Sequence, residues 1–246
     1  MKVSIITPTF NSTKTIKDTL ESVKNQTYPD IEHIIIDGNS TDNTLDIIKK
    51  YPHIVKCISE SDQGIYHAMN KGIRVATGEI IAILNSDDFY ITPLTIEKVV
   101  NTFKSKMPLS IYGDLNYVER FNTDNVVRKW KAGEIKQSKF IFGWMPPHPA
   151  LFIKKEVYDR YGVFDTTFKC ASDYELMLRF LYKNKINSIY IPEVLVKMRT
   201  GGVTNSSLIY ILKSILEINK AWKVNDLQSF IFTPVLKPLR KIFQIF

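Results

Sequence analysis

No glycine-rich phosphate loop occurs in these 246 residues: neither GxGxxG nor GxxxxGK[ST] is present. That argues against a dinucleotide Rossmann site and against a P-loop, both of which need glycines where a strand turns into a helix. Phosphate charge would have to be met by a cation and by scattered basic groups. Cysteine is scarce as well. Cys57 and Cys170 form no CxxC or metal-type spacing, so neither a zinc site nor a disulfide framework is indicated. Cys57 lies in the strand-like IVKCIS and is expected in the core. No stretch reaches the roughly 20 apolar residues that a spanning helix needs. The N-terminal MKVSIITPTF holds only a short apolar run, broken by Pro8, and does not read as a signal peptide. The expectation is a cytosolic chain that meets a membrane, if at all, at its surface.

What is present is ordinary for a globular protein: 44% hydrophobic, 24% charged and 12% aromatic residues, enough to make disorder an unpromising reading. The length suits one large domain, or one domain with a small appendage. The net charge of +8 suits an anionic partner, without choosing between nucleotide, nucleic acid and lipid headgroup.

Short apolar runs alternate with helical patterns along the first half. KVSIITPTF, IEHIIIDGNS, IVKCIS, EIIAIL and LSIYGDLNYV read as strands. Between them lie four helices: STKTIKDTLESVKNQT, capped by Asn11 or Ser12; STDNTLDIIKKY, capped by Thr41 or Asp42; GIYHAMNKGIRVA; and one opened by Pro93. Strands apolar on both faces predict an α/β fold with a mostly parallel sheet flanked by helices. In such folds ligands bind beyond the carboxyl ends of the strands. The segments TPTF, DGNS and NSDD are those ends, so Asp37, Asp87 and Asp88 are expected to face one crevice. Past residue 120 come VVRKW and HPALFIK as strands of mixed orientation. The helix SDYELMLRFLYKN follows, with Ser172 at its start, then INSIYI and EVLVKMR as two strands meeting near Pro192, then a helix over 206–222.

Adjacent carboxylates repel, and a divalent cation would relieve Asp87 and Asp88 while holding phosphate oxygens; the same Ser-Asp-Asp also fits plain turn chemistry. Asp37, before Gly38, fits either a nucleotide contact or an Asx-turn. Asp173 gains from the helix dipole as an N-terminal residue, or acts as a general base. His148 reads as a loop histidine or a contact at the site's edge. Arg199 reads as a phosphate ligand or a solvated cation.

Taken in order, VSIITPTFN, IIIDGNSTDNT, SDQGIYHAMNKGIRVATGEIIAILNSDD, HPALF and SDYELMLR, with a following Gly-Gly pair, resemble family 2 glycosyltransferases of the GT-A nucleotide-sugar fold. The resemblance covers roughly residues 1–205 and looks closest to bacterial enzymes that build capsule, exopolysaccharide or O-antigen chains. It implies a GT-A domain over 1–205 and a C-terminal helical extension over 206–246. By the same resemblance Thr7, Pro8, Thr9 and Phe10 line the base pocket. Asp37, Asp62, Asn70, Lys71 and Asp87 serve the nucleotide or donor, Asp88 ligates Mn²⁺ or Mg²⁺, and Asp173 is the catalytic base. His148 and Arg199 are assigned to acceptor or phosphate. Gly38 and Ser172 stand where the family often has acidic residues. No QxxRW follows Asp173, which favours transfer of a single sugar over polymerisation. The implied reaction is inverting and metal-dependent. It moves a sugar from a UDP-sugar to a glycan or polyprenyl-diphosphate-linked acceptor, with no nucleic acid involved. A sugar-nucleotide nucleotidyltransferase and a non-catalytic binding module are the alternatives. The basic, apolar C-terminus, with Lys237, Arg240 and Lys241 among Leu236, Leu239, Ile242 and Phe243, fits a membrane-surface segment or a helix packed on the domain.

Overall fold

The computed structural model describes residues 1–201, 208–228, 233 and 236. Strand and helix alternate in the N-terminal half: β1 (Val3–Thr9), α1 (Ile16–Lys24), β2 (Ile31–Asp37), α2 (Thr44–Ile48), β3 (Ile54–Ser59), α3 (Ile65–Val75), β4 (Ile80–Ile83), the short β5 (Phe89–Tyr90) and α4 (Thr95–Lys106). Every residue of β1 and β4 is buried, as a strand covered on both faces requires. Strands β3, β2, β1 and β4 are neighbours in that order and pair in parallel. Their carboxyl ends therefore open on one side of the sheet.

The second half is mixed. It runs β6 (Ser110–Val118), β7 (Val126–Trp130), α5 (Gln137–Ile141), a 3-10 turn at His148–Ala150, β8 (Leu151–Lys154), α6 (Lys155–Tyr161), α7 (Ser172–Met177), β9 (Ser188–Arg199) and α8 (Leu208–Val224). Antiparallel β8 sits between β4 and β6, while β9 runs parallel to β6 and β7 antiparallel to it. The helix carrying Asp173 continues past α7 as a π-helical stretch, Leu178–Lys183.

Several local expectations are corrected. Cys57 is exposed, because β3 is the sheet's edge strand. The two strands around Pro192 are one, β9, whose register against β6 jumps from Gly113↔Ile191 to Asp114↔Val194. Pro192 falls in that bulge, where its missing N–H costs no ladder bond. Helix caps also move: α1 is preceded by Thr15, α4 by Leu94 and α7 by Ala171, none of them using a side-chain cap, whereas at α2 Asp42 serves as expected, its Oδ1 accepting the Thr44 N–H at 3.0 Å. The Ser172 hydroxyl donates instead to the Asp165 carbonyl at 2.9 Å.

Helix α3 lies very close to the sheet. A Cβ on Gly72 would fall 2.3 Å from Ile6 Cγ2, so only glycine permits this approach. Helix α8 shares the main core: Ile218, Ala221 and Trp222 pack in one cluster with Ile6, Ile34, Met69 and Tyr174. No described helix is long and apolar enough to cross a membrane. Lys237, Leu239, Arg240, Lys241, Ile242 and Phe243 lie outside the described residues.

Beneath the sheet, His33 is fully buried, with Nδ1 3.1 Å from His53 Nε2 and Nε2 3.0 Å from Thr7 Oγ1. Burial, aided by His53, depresses its pKa to about 3. The unfolded chain therefore takes up a proton near the ordinary histidine value while the folded chain does not. Stability is full above that value and falls as pH drops toward 3, at about 1.4 kcal/mol per pH unit for one such group. His33→Gln is expected to flatten the fall in Tm between pH 6.5 and pH 4, measured against wild type by thermal melts. An unchanged slope would mean that His33 does not control it.

Candidate active site

The crevice is built at the ends of β1, β2 and β4. Thr7 and Pro8 sit within the β1 ladder, where Pro8 lies opposite Ile36. The Thr9 carbonyl accepts the Gly38 N–H at 2.9 Å, and the Thr9 hydroxyl is buried without a partner. Phe10 then projects outward, 61% exposed. At the end of β2 Asp37 is fully buried, and its carboxylate accepts three bonds: the Ser40 amide at 3.0 Å, the Ser40 hydroxyl at 2.5 Å and the Ser59 hydroxyl at 2.7 Å. It holds the DGNS loop in the Asx-turn manner.

The NSDD segment closes a tight turn. The Asp88 N–H donates to the Asn85 carbonyl at 3.0 Å, and Asn85 Nδ2 donates to Asp88 Oδ2 at 2.9 Å. Asp88 has no exposed surface, and its Oδ1 has no hydrogen-bond partner. Burial first, and the neighbouring Asp87 charge second, push its pKa well above the usual carboxylate range. Asp87 is also raised by burial, opposed by Arg120, whose Nη1 is 3.7 Å from its carboxylate. An unpartnered, buried carboxylate oxygen at a strand end is what a cation ligand looks like before the cation arrives. Among the described residues no group of three or more His, Cys, Asp or Glu side chains gathers to hold a metal. A cation at Asp88 would therefore draw further oxygens from a bound diphosphate, as Mg²⁺ and Mn²⁺ commonly do.

Arg199 is neither solvated nor free for a phosphate. It is 4% exposed, and Nε donates to the Arg120 carbonyl while Nη1 donates to the Asp87 carbonyl at 2.8 Å. Nη2 pairs with Asp18, and the guanidinium lies over Phe89. It ties the end of β9 to the acidic turn. Asn70 is similarly engaged, exchanging bonds with the Phe164 backbone at 2.8 and 3.0 Å. Lys71 pairs with Asp62 and Glu60, each at 2.7 Å, and these carboxylates raise its pKa.

Asp173 stands at the second position of α7, partly exposed. Its Oδ1 accepts the Tyr174 N–H at 2.8 Å and lies 3.5 Å from the Tyr66 hydroxyl. Tyr66 stacks on Phe164, and His148 meets the same ring edge-on, both at 5.6 Å. Burial lowers the His148 pKa, and the Asp173 charge opposes that shift. Tyr117 links the two halves of the crevice. Burial pushes its phenol up to about 12 against the pull of Arg128, with the Asp88 and Asp173 charges adding to the rise. The Arg128 guanidinium sits 3.5 Å from the Tyr117 ring centre, and Trp130 stacks beside it. Tyr117, Arg120, Arg128 and Trp130 escaped the sequence reading. The one signal was VVRKW, whose alternation puts Arg128 and Trp130 on one face of β7.

Comparison with known proteins agrees with this architecture. Residues 4–171 match the model of Glycosyl transferase family 2. A PGL/p-HBAD biosynthesis glycosyltransferase of Mycobacterium bovis is 27% identical over 209 residues, covering 82% of this chain and 79% of that protein. An uncharacterised glycosyltransferase of Mycobacterium tuberculosis is 34% identical over 184 residues, 72% of this chain and 68% of its own. Among solved structures, S. aureus TarS 1-349 in complex with UDP-GlcNAc superposes with a TM-score of 0.70 at 20% identity, covering 93% of this chain and 68% of that one. The Pyrobaculum calidifontis mannosyltransferase in complex with GDP-Man and Mn²⁺ does so with a TM-score of 0.66 at 22% identity, covering 96% and 68%. The fold is that of the GT-A glycosyltransferases.

Proposed function

The chain belongs to glycosyltransferase family 2, and from that premise we propose that it moves one sugar, with inversion, from a nucleoside diphosphate donor to a hydroxyl of a glycan or lipid-linked acceptor in surface polysaccharide synthesis. The observation that carries the proposal is geometric. Asp88 presents a buried carboxylate oxygen, Oδ1, that no donor meets, while Asp173 presents a partly exposed carboxylate at the start of α7. One is suited to a cation and the other to a proton.

Asp87 and Asp88 would hold the divalent cation, which when bound neutralises charge on the leaving diphosphate. Arg120, with a buried Nη1 that makes no hydrogen bond, adds a fixed positive charge beside them. Asp173 takes the proton from the acceptor hydroxyl, which attacks the anomeric carbon on the face away from the nucleotide. The Tyr174 N–H, at 2.8 Å, keeps that carboxylate aimed. Tyr66, Phe164 and His148 form an aromatic wall beside it, suited to an apolar sugar face. Phe10 is free to lie against a base. The absence of QxxRW after Asp173 supports single transfer. The domain is read as residues 1–205 with the helical extension beyond it, and cytosolic work at a membrane surface fits the basic tail.

Calorimetric titration with UDP and with GDP tests the reading. One of the two is expected to bind with micromolar affinity when Mn²⁺ is present and at least about tenfold more weakly without it. Binding that ignores the metal would remove the cation from the mechanism. Failure of both nucleotides would overturn the donor class.

A further inference from the structure

Helix α7 is short and lacks a side-chain cap of its own, yet it must hold Asp173 in register. The amides that lead into it, up to its N-cap Ala171, are met from elsewhere. Glu217, on α8, accepts the N–H of Lys169 at 2.8 Å on Oε1, and those of Cys170 at 2.8 Å and Ala171 at 2.9 Å on Oε2. Three consecutive amides converge on one carboxylate, at the positive end of the helix that carries the base. Other side chains of α8, and Asn225 just past its end, grip the same short segment. Lys220 Nζ donates to Thr167 Oγ1 at 2.8 Å and lies over the Phe168 ring. Trp222 Nε1 donates to the Tyr174 hydroxyl at 3.0 Å, and Asn225 Nδ2 donates to Glu175 Oε1 at 3.0 Å. These contacts fall on residues 167–175, on both sides of Asp173.

We infer that Glu217 is a positioning residue for sugar transfer: it caps α7 from α8 and so fixes the Asp173 carboxylate at the reacting centre. The inference rests on Asp173 being the base. Family-matched residues end at 171, so the cap is supplied from outside the matched region. Ordinary packing would be served by apolar contact through Ile218, Ala221 and Trp222 alone. A carboxylate aimed at three amides adds direction to that contact. Each such bond is charge-assisted, and together they resist rotation and sliding of α7. Displacing a catalytic group by about an ångström costs on the order of 10²-fold in rate.

The test uses the full chain with Mn²⁺ and follows release of nucleoside diphosphate from UDP-N-acetylglucosamine and from GDP-mannose. Glu217→Gln keeps the volume but turns one acceptor into a donor facing those amides. It is expected to lower kcat about 10²-fold while leaving the donor KM within about twofold. Glu217→Asp, one methylene shorter but still anionic, should recover part of the loss. In an Asp173→Asn background Glu217→Gln should cost nothing further, because the group it positions is gone. No loss with Glu217→Gln, or the same loss in both backgrounds, overturns the inference. Normal turnover by Asp173→Asn alone overturns the base assignment instead. Amide hydrogen exchange, followed in every variant, then decides the cap without reference to turnover. Faster exchange at Lys169, Cys170 and Ala171 in Glu217→Gln supports it, and unchanged exchange there overturns it.

Discussion

Asp173→Asn is expected to reduce sugar transfer by about 10²–10⁴-fold while nucleotide affinity stays where it was. Asparagine keeps the volume of the side chain and still accepts the Tyr174 N–H, so α7 should hold its place. What disappears is the ability to take a proton. Asp173 touches no residue of the acidic NSDD turn among its hydrogen bonds, which is why UDP or GDP binding should be spared. The measurement is single-turnover transfer alongside calorimetry on the same preparation. Loss of both activities together would place Asp173 in binding. Retained transfer would turn attention to Tyr66 and His148, the other titratable groups beside that carboxylate.

Asp88→Asn should give a result of opposite sign in two assays. In metal-free buffer at neutral pH the variant is expected to melt higher than wild type, because asparagine keeps the volume and buries no charge; the gain is about 1.4 kcal/mol for each pH unit above the unfolded pKa until the folded one is reached. The folded pKa of Asp88 lies above its unfolded value, so the folded state holds its proton more tightly. The carboxyl therefore loses stability as pH rises from the unfolded pKa through the folded one, and at neutral pH it burdens the fold. The advantage of the variant should shrink as pH falls through 4, both states of the wild type being protonated only below about pH 3. With Mn²⁺ and nucleotide present the order reverses: wild type gains stability from the bound ligands and the variant does not. A variant that melts lower in metal-free buffer, or that still gains from Mn²⁺, would argue that Asp88 is a turn residue. The trade of stability for function is common where a charge is buried to meet a ligand.

Much of this architecture was legible in the residues themselves. Apolar runs such as EIIAIL carry no polar face, and only a sheet covered on both sides accommodates them. Once the first four strands are parallel, Asp37 and Asp87–Asp88 must follow strand ends on the same edge of the sheet, and they do. The details that failed were those set by distant partners. Cys57 looked like core because its neighbours are apolar, but strand order alone makes β3 the edge. Arg199 looked free because nothing near it in sequence is acidic, whereas Asp18 is 181 residues away. The caps of α1 and α7 failed because the Ser12 carbonyl and the distant Glu217 carboxylate, rather than the side chains expected, meet the amides there. The half of the crevice formed by Tyr117, Arg120 and Arg128 carries no motif, since any side chain of suitable charge and length can serve there. It is also the half in which donor and acceptor preference would be set.

The contact between Gly72 and Ile6 sets a clearance with consequences at a distance. Helix α3 carries Tyr66, Asn70 and Lys71 on its crevice end, and its height above the sheet is fixed where a glycine meets a β1 isoleucine. A methyl group at residue 72 would act as a shim. It would lift the helix from β1, and with it the Tyr66 ring beside Asp173 and the Asn70 tie to the Phe164 backbone. The gauge of the crevice is thus machined into an apolar contact that no ligand touches. A library screened for altered acceptors should hold residues 6 and 72 constant.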